Sequence, residues 1–427
     1  MATGGDVASA SSVETDHERM FRWLAVAVIA AGVGVRFGLM RHYDDDAVDL
    51  RAIENVTYAL THHFTHAYRG YVSTRGGASP SWTYPAGLFP LLLLDHALVP
   101  LGLSLRTLVA ASNFLADIGM AALLYRHVAK RRGQVAGLVA CALLSFGWPL
   151  VFDTGVMNQI DSLGTFFALC AVMLWSSDVR HRTLWACVLL GVATSIKVPF
   201  GFLVLAFLPT CQDWRAGARA IGIVAAVPIL VTAPFLIADF HNVVRAIDSN
   251  HSLPAFAGWS LFVDPSYRHV WLDGQAVAQT HALKTLTVWQ PRIVLACVVA
   301  VGVVLWYFRV NAVRSAAIIA LTIWASNVNP GFTFLVWVIP FVILDEQLWG
   351  AALIELSGLI PGVQLFFMNP HPRAGFLFVP LVAVMQAVIV IVLVRSLVRV
   401  VRTHPGRRTP SRAQPEPVGG RALAQES

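Results

Sequence analysis

Charged residues are scarce in this sequence, and their scarcity excludes an ordinary soluble protein. Asp, Glu, Lys and Arg make up 13% of the 427 residues, whereas a soluble domain contains about 25%. Hydrophobic residues make up 56%, and they occur in long blocks instead of at the spacing of strands or surface helices. Because about 20 consecutive apolar residues cross a bilayer as a helix, the composition predicts a polytopic membrane protein.

Other absences limit the expected chemistry. The five cysteines lie in or beside apolar blocks without the paired spacing of a metal site, so we expect no disulfides. The sequence contains no phosphate-binding glycine loop, no nucleophilic serine elbow and no paired-histidine zinc motif. The histidines do not cluster at ligand spacing, so neither a metal nor another cofactor is expected. An ion held by Asp44 and Asp46 stays open as an alternative, with nothing else in the sequence to support it.

Arginine-rich loops predict the orientation of the chain. Short loops that carry Arg and Lys stay in the cytoplasm, and here they fall between alternate apolar segments. We therefore expect a cell-membrane protein with both termini in the cytoplasm, built as an all-α polytopic bundle of about 10–13 transmembrane helices. The short apolar stretches Pro199–Pro209 and Phe332–Leu344 count among these spans. The segment Tyr84–Leu103 contains several prolines as well as Asp95 and His96, so it is instead predicted to be an interfacial helix of the first external loop.

The composition divides the chain into three parts. Residues 1–20 are small and polar, which predicts a disordered cytoplasmic segment. Residues 21–398 form the predicted membrane domain, with external loops at 41–104 and 239–290. Residues 399–427 are rich in Arg and Pro, which predicts a disordered basic cytoplasmic tail.

With this orientation, the unusual polar residues collect at the outer ends of the helices. Lys197 is the hardest of them to explain as ordinary structure. A lone ammonium at that depth costs about 2.5–3.5 kcal/mol, and no acidic residue lies near it in the sequence. Its partner is expected to be Asp161, another carboxylate of the protein, or a phosphate supplied by a lipid substrate.

The acidic and amide residues near the helix starts each have two interpretations. Asp46 and Asp49 belong either to a solvated acidic loop or to a site where one carboxylate takes a proton from an acceptor hydroxyl. Gln159 and Asp161 are either caps of the helix that follows them or part of the same outer cavity. A cap is also a structural alternative for Asp49.

Two Asn-Pro turns near the end of the chain carry the remaining candidates. Asn329 lies in "NVNPGF", and His371 and Arg373 lie in "NPHPR". Ordinary turn chemistry explains such sequences. The alternative is that these side chains supply hydrogen-bond donors and positive charge beside a phosphate.

Taken in chain order, these elements resemble the GT-C superfamily of membrane glycosyltransferases. The resemblance is greatest to bacterial polyprenyl-phosphate-mannose-dependent mannosyltransferases, which are related to the enzymes that build glycolipid anchors. It covers residues 21–398 and depends on five short elements. These are "DDDAVD" at 44–49, "YPAG" at 84–87, "NQIDS" at 158–162, "KVP" at 197–199 and "NPGFTFLVWVIP" at 329–340. Two positions depart from the family pattern, because Ala86 stands where a second proline is usual and Asn158 where a glycine is usual.

The resemblance implies a specific reaction. A sugar, with mannose as the first candidate, would move from a polyprenyl-phosphate donor to a lipid or glycan acceptor on the extracytoplasmic face. The transfer would invert the sugar without a metal, with Asp49 or Asp46 as the general base. Lys197 would stabilise the departing phosphate, and Gln159, Asp161 and Tyr84 would orient the donor.

A secondary transporter or lipid flippase is the alternative from a different class. Transporters commonly contain two-fold internal repeats, and none is visible in this sequence. Their functional polar groups also line both halves of the path, whereas here these groups gather on one side.

Overall fold

The computed structural model describes residues 6–42, 48–69, 82–248, 258–264, 280–367 and 375–403. Within these ranges the chain forms helices and no strands, which confirms the predicted all-α class. In chain order, the α-helices are α1 (Asp6–His42), α2 (Val48–His62), α3 (Phe89–Leu98), α4 (Leu105–Arg132), α5 (Gln134–Phe146), α6 (Trp148–Leu150), α7 (Asp161–Trp175), α8 (Arg182–Ile196), α9 (Trp214–Asp248), α10 (Ser260–Val263), α11 (His281–Tyr307), α12 (Ala312–Ser326), α13 (Ile339–Leu344), α14 (Leu348–Phe367) and α15 (Gly375–Thr403).

Several helices are suited to a lipid environment. In the described part of the chain, six are long and apolar enough to cross a membrane: α1, α4, α5 with its continuation to Val156, α9, α11 and α15. Ile229, Leu230 and Ile237 of α9 are 59%, 69% and 87% exposed. Large apolar side chains exposed along a helix fit contact with lipid tails, so the chain is a polytopic membrane protein.

Other apolar helices are too short to cross alone. Helices α7, α8 and α12 have 15 residues each, so each is about 22 Å long, against ~30 Å for the hydrocarbon core. Twelve residues of α12 are buried, and a helix that is apolar all round belongs inside a bundle. The interfacial segment predicted at residues 84–103 contains α3, whose ten residues reach only about 15 Å.

Two predicted spans are wrong as continuous α-helices. Residues Val198–Ala206 and Phe332–Trp337 form 3₁₀-helices. Pro199 ends the α-helical ladder after α8 because it has no N–H to donate. The second stretch becomes α-helical only at Ile339, with Pro340 in the first turn of α13. Both 3₁₀ segments are wound more tightly than an α-helix. Their aromatic side chains pack in the region around Lys197 that is described below.

The chain also differs from the expectation at its start. Helix α1 begins at Asp6, inside the segment 1–20 for which the composition predicts disorder. The alanines and charged residues of this segment are compatible with a helix, so α1 continues on the N-terminal side of its apolar part. Helix α15 likewise continues to Thr403, beyond the predicted boundary at residue 399.

Helices α7 and α8 pack against each other, which brings the first residue of α7 beside the residue that follows α8. Glycines allow neighbouring elements to approach these two helices closely. A Cβ on Gly164 of α7 would lie 2.5 Å from the ring of Phe200, in the 3₁₀ segment after α8. A Cβ on Gly191 of α8 would lie 2.6 Å from the Cβ of Val227 in α9.

Candidate active site

The start of α7 and the end of α8 are joined by a buried ion pair. Asp161 is the first residue of α7, and Lys197 follows the last residue of α8. The ammonium of Lys197 contacts the Oδ1 atom of Asp161, and the two side chains are 7% and 0% exposed. Of the partners expected for Lys197, the structure therefore places Asp161 beside it.

Three aromatic rings surround the same ammonium. The Nζ atom of Lys197 lies 4.8 Å from the ring centroid of Trp337, 5.0 Å from that of Phe334 and 5.3 Å from that of Tyr84. A cation within about 6 Å of a ring centroid is attracted by the negative face of the ring. The rings and the carboxylate together stabilise a charged lysine where water is largely excluded. We call these four residues around Lys197 the lysine cage: Asp161, Tyr84, Phe334 and Trp337.

Asp161 is not the N-cap of α7, so that interpretation is wrong. The capping position belongs to Ile160, whose side chain makes no capping hydrogen bond. The carboxylate of Asp161 turns toward Lys197 instead, because an ion pair in a low-dielectric interior outweighs a hydrogen bond to one helix N–H. Its second oxygen, Oδ2, is buried and has no hydrogen-bond partner among the described residues. The site therefore holds an acceptor that a ligand hydroxyl could satisfy.

Asn158 explains one departure from the family pattern. Its φ angle is 52°, in the left-handed region where glycine is favoured and asparagine is the next most tolerated residue. The side chain adds a bond that glycine lacks, because Nδ2 donates to the Arg106 carbonyl over 3.2 Å. The next residue, Gln159, accepts a 2.6 Å bond at its carbonyl from Asn113. Gln159 thus fixes the approach to α7 through its backbone, while its side chain lies beside Met157.

Ala86 explains the other departure. Its backbone N–H donates to the Thr232 hydroxyl of α9 over 3.2 Å, a bond that a proline could not make. The adjacent Gly87 lies directly against the end of α8, since a Cβ there would be 2.1 Å from the hydroxyl of Ser195. The "YPAG" turn therefore packs against Ser195, which precedes Lys197 by two residues in the sequence.

The carbonyl of Tyr84 anchors the same turn from the other side. It accepts a 2.9 Å hydrogen bond from the hydroxyl of Tyr68. Burial raises the pKa of the Tyr68 phenol above its ordinary value, so this hydroxyl remains a donor at neutral pH. The turn and the Tyr84 ring are consequently fixed against the lysine cage.

Asn329 lies on the segment that leads to Phe334 and Trp337. It is fully buried, and its Nδ2 donates to the Thr287 hydroxyl over 3.3 Å. Its backbone N–H donates to Asn327 Oδ1 over 3.0 Å. Asn329 therefore contributes by holding the start of the 3₁₀ segment, and its Oδ1 atom has no hydrogen-bond partner in the described ranges.

A second buried ion pair, which the sequence analysis missed, supports the segment before α7. Arg36 and Asp117 approach to 3.7 Å, and each side chain is 1% exposed. Asp117 accepts a 3.1 Å bond from Thr154, and Arg36 donates to the Ser145 carbonyl over 3.2 Å. The available signal was a charged residue inside each of two predicted spans, because such residues are costly unless they are paired.

Four of the predicted residues cannot be placed in this site. Asp46, His371 and Arg373 lie outside the described residues. Asp49 lies in the first turn of α2, but its side chain falls outside the part that the structure describes. The choice between Asp46 and Asp49 as a base therefore stays a prediction.

An apolar groove runs from the neighbourhood of Asn329 along α11. Its volume is about 580 Å³, and Val328 and Leu286 lie at one end of it and Val301 farther along the helix. The 16 residues from Leu286 to Val301 span about 22 Å of helix. The groove is long and open enough to accept an extended hydrocarbon chain.

The comparisons with known proteins give one family. The sequence model of glycosyltransferase family 87 matches residues 82–336, which is more than half of the chain. The match includes Tyr84, Asp161, Lys197, Asn329 and Phe334, and it ends one residue before Trp337. None of the curated protein sequences matches the chain.

Proposed function

The chain belongs to glycosyltransferase family 87, and from this we propose that it transfers a sugar from a polyprenyl-phosphate donor to a lipid or glycan acceptor. Mannose is our first candidate for the sugar. The family gives the class of reaction, glycosyl transfer by a membrane protein. The donor, the sugar and the membrane face are our proposals.

The observation that carries the proposal is the buried ammonium of Lys197 in its cage of rings and a carboxylate. In transfer from a polyprenyl-phosphate sugar, the acceptor oxygen attacks the anomeric carbon and the bond from that carbon to the phosphate oxygen breaks. The polyprenyl phosphate leaves with the electron pair and is already charged. A fixed cation stabilises such a leaving group without giving it a proton.

Asp161 fits this proposal in two ways. Without donor, it neutralises Lys197 and so lowers the cost of a buried charge. With donor bound, the ammonium is shared between Asp161 and the phosphate, and the unpartnered Oδ2 atom accepts a hydrogen bond from a sugar hydroxyl. The Tyr84 ring, Gln159 and Asn329 then act as positioning residues.

The remaining parts of the donor and the base are assigned as follows. The apolar groove along α11 holds the prenyl chain. We propose that Asp49 or Asp46 takes the proton of the acceptor hydroxyl and that His371 and Arg373 interact with the phosphate. The reaction inverts the anomeric centre and uses no metal.

Charge distribution supports an extracytoplasmic site in the cell membrane. Arg131, Arg132 and Arg182 lie at the end of the bundle away from Lys197, as do Arg314 and Arg399. Basic residues beside membrane spans are retained in the cytoplasm. We therefore assign that end and both termini to the cytoplasm, and the lysine cage to the outer side.

The test is sugar transfer by the purified chain in lipid nanodiscs. Radiolabelled mannose on polyprenyl phosphate is supplied with a membrane-lipid extract as acceptor, with and without EDTA. We expect EDTA-resistant transfer by the wild type and a loss of at least about 100-fold in Lys197→Met. Lys284→Met is the matched control, because this exposed lysine lies on α11 outside the cage.

The same assay separates the remaining assignments. Asp49→Asn and Asp46→Asn identify the base as whichever change abolishes transfer. Full activity of Lys197→Met would overturn the role of the cage. If the wild type transfers no mannose, arabinose and glucose donors come next, and movement of intact donor across the bilayer without transfer would favour a flippase.

A further inference from the structure

A large polar cavity lies at the end of the bundle opposite the lysine cage. It has a volume of about 770 Å³ and is lined in part by Trp175, Arg182 and Arg314. Trp175 is the last residue of α7, and Arg182 is the first residue of α8. Because Asp161 and Lys197 stand at the other ends of these two 15-residue helices, the cavity lies about 22 Å from the ion pair.

The cavity carries an excess of positive charge. Its walls include five arginines and two carboxylates, namely Arg131, Arg132, Arg182, Arg314, Arg399, Asp345 and Glu346. Glu346 binds both Arg131 at 3.2 Å and Arg132 at 2.7 Å. Asp345 binds Arg314 at 3.3 Å. The two acids thus hold three of the arginines in place, and Arg182 pairs at 3.1 Å with the exposed Asp178, which lies outside the lining. Among the lining residues the guanidinium groups outnumber the carboxylates by three, which favours an anionic occupant.

An apolar groove opens from the same cavity. It has a volume of about 490 Å³ and runs between α9 and α11, and Cys211 and Gln212 line both the groove and the cavity. Trp214 and Trp306 stand at this end of the groove and are 76% and 53% exposed. Exposed tryptophans beside an apolar surface are typical of the depth of lipid headgroups.

We propose that cavity and groove together bind one anionic phospholipid. Its phosphate occupies the arginine-lined cavity, and one acyl chain lies in the groove between α9 and α11. The site differs from the donor site because it lies at the opposite ends of α7 and α8. It adds a lipid-binding site that the glycosyltransferase reaction does not itself imply.

Other occupants fit these features less well. A free phosphate would use the arginines but leave the groove empty, and a zwitterionic lipid would not complement the excess of positive charge. The chain's own segment 404–427 carries four arginines and two glutamates, so its charge has the wrong sign. An anionic phospholipid satisfies both the charge and the apolar surface.

The experiment measures lipid binding to the purified full chain by native mass spectrometry and by titration in neutral detergent. The probes are phosphatidylglycerol, phosphatidylcholine with the same acyl chains, and glycerol phosphate. We expect phosphatidylglycerol to bind about tenfold more tightly than phosphatidylcholine, and glycerol phosphate not to displace it. Equal binding of the two lipids, or displacement by glycerol phosphate at similar concentration, would overturn the proposal.

Variants test the two parts of the site separately. Arg182→Gln with Arg399→Gln should abolish the preference for phosphatidylglycerol. Gly302→Leu should weaken binding without any change of charge, because Gly302 lines the groove and faces Leu205. Arg180→Gln, in the exposed turn before α8, is the matched control and should bind like the wild type.

Each variant is first checked for native helix content and a single size-exclusion peak. If the arginine variant does not fold, the proposal is still tested by the lipid comparison on the wild type and by the binding of the Gly302→Leu variant. An arginine variant that folds and keeps the wild-type preference contradicts the charge assignment. A Gly302→Leu protein with unchanged binding contradicts the acyl-chain assignment.

Discussion

Lys197 and Asp161 are separated by 36 positions in the sequence, yet their side chains form one buried ion pair between α7 and α8. Each residue lies at a helix terminus, so the pair fixes the relative position of two helix ends. The pair therefore has a structural role in addition to the proposed chemical one. The two roles predict different effects of substitution.

Removing one partner should cost stability, and removing both should restore it. Lys197→Met leaves Asp161 as an uncompensated buried carboxylate, which should destabilise the protein by about 3–5 kcal/mol. Lys197→Met combined with Asp161→Leu replaces the pair by apolar side chains and should recover most of that loss, while transfer stays absent. Thermal unfolding in detergent, followed by tryptophan fluorescence, measures this. If the double variant is destabilised by the sum of the losses in Lys197→Met and Asp161→Leu alone, the pair does not stabilise the fold as a unit.

The aromatic rings of the cage should affect donor binding more than folding. Trp337→Leu removes the ring whose centroid lies 4.8 Å from the Lys197 ammonium but keeps an apolar side chain in its place. A cation–π contact contributes about 0.5–2 kcal/mol, so the KM for the donor should rise by about 2- to 30-fold. Trp349→Leu is the control, because Trp349 is 83% exposed at the start of α14. If the two variants have equal KM values, the Trp337 ring does not contribute to donor binding.

The left-handed backbone of Asn158 predicts which substitutions are tolerated. Asn158→Gly and Asn158→Ala both lose the side-chain bond to the Arg106 carbonyl, so their difference reports the backbone alone. The alanine variant should be less stable by about 1 kcal/mol, because an ordinary residue is strained at positive φ. Comparing their unfolding midpoints tests this. An alanine variant as stable as the glycine variant would contradict the left-handed conformation.

Restoring the usual proline at position 86 should reveal the bond that replaces it. Ala86→Pro removes the N–H that donates to Thr232, although a proline ring suits the first position of a helical turn. Thr232→Val removes the acceptor and also the side-chain hydrogen bond between Thr232 and Tyr68. Loss of the Ala86 bond should cost about 0.5–1.5 kcal/mol, and Thr232→Val should cost more. Because the bond lost in Ala86→Pro is also lost in Thr232→Val, the double variant should be hardly less stable than Thr232→Val alone. Additive losses in the unfolding measurement would mean that the two changes act independently.

The sequence was sufficient for the class of fold and for the order of the site elements. Long apolar blocks predict α1, α4, α9, α11 and α15 directly, because length and hydropathy decide whether a helix can span a membrane. The need of Lys197 for a partner is also visible in sequence, and Asp161 is among the partners expected. These predictions succeed because they depend on local composition and on the cost of a buried charge.

Long-range packing sets the features that the sequence left open. Phe334 and Trp337 reach Lys197 across more than 130 positions, and an aromatic residue in an apolar segment gives no sign of which cation it will face. The Arg36–Asp117 pair was signalled by its charges, but the choice of partner depends on how α1 packs against α4. The capping interpretation of Asp161 failed for the same reason, since a distant lysine competes for the carboxylate.

The short central helices have a consequence for how the protein is made. Helices α7, α8 and α12 have 15 residues each, about 22 Å, and α12 carries Arg314 near its start. Alone in a bilayer, each would leave helix ends and polar groups inside the hydrocarbon, where unsatisfied groups cost several kcal/mol. Their neighbours α4, α9 and α11 are long enough to insert unaided. Biogenesis is therefore expected to proceed from the long, lipid-exposed helices inward, with the lysine cage among the last parts to reach its final depth.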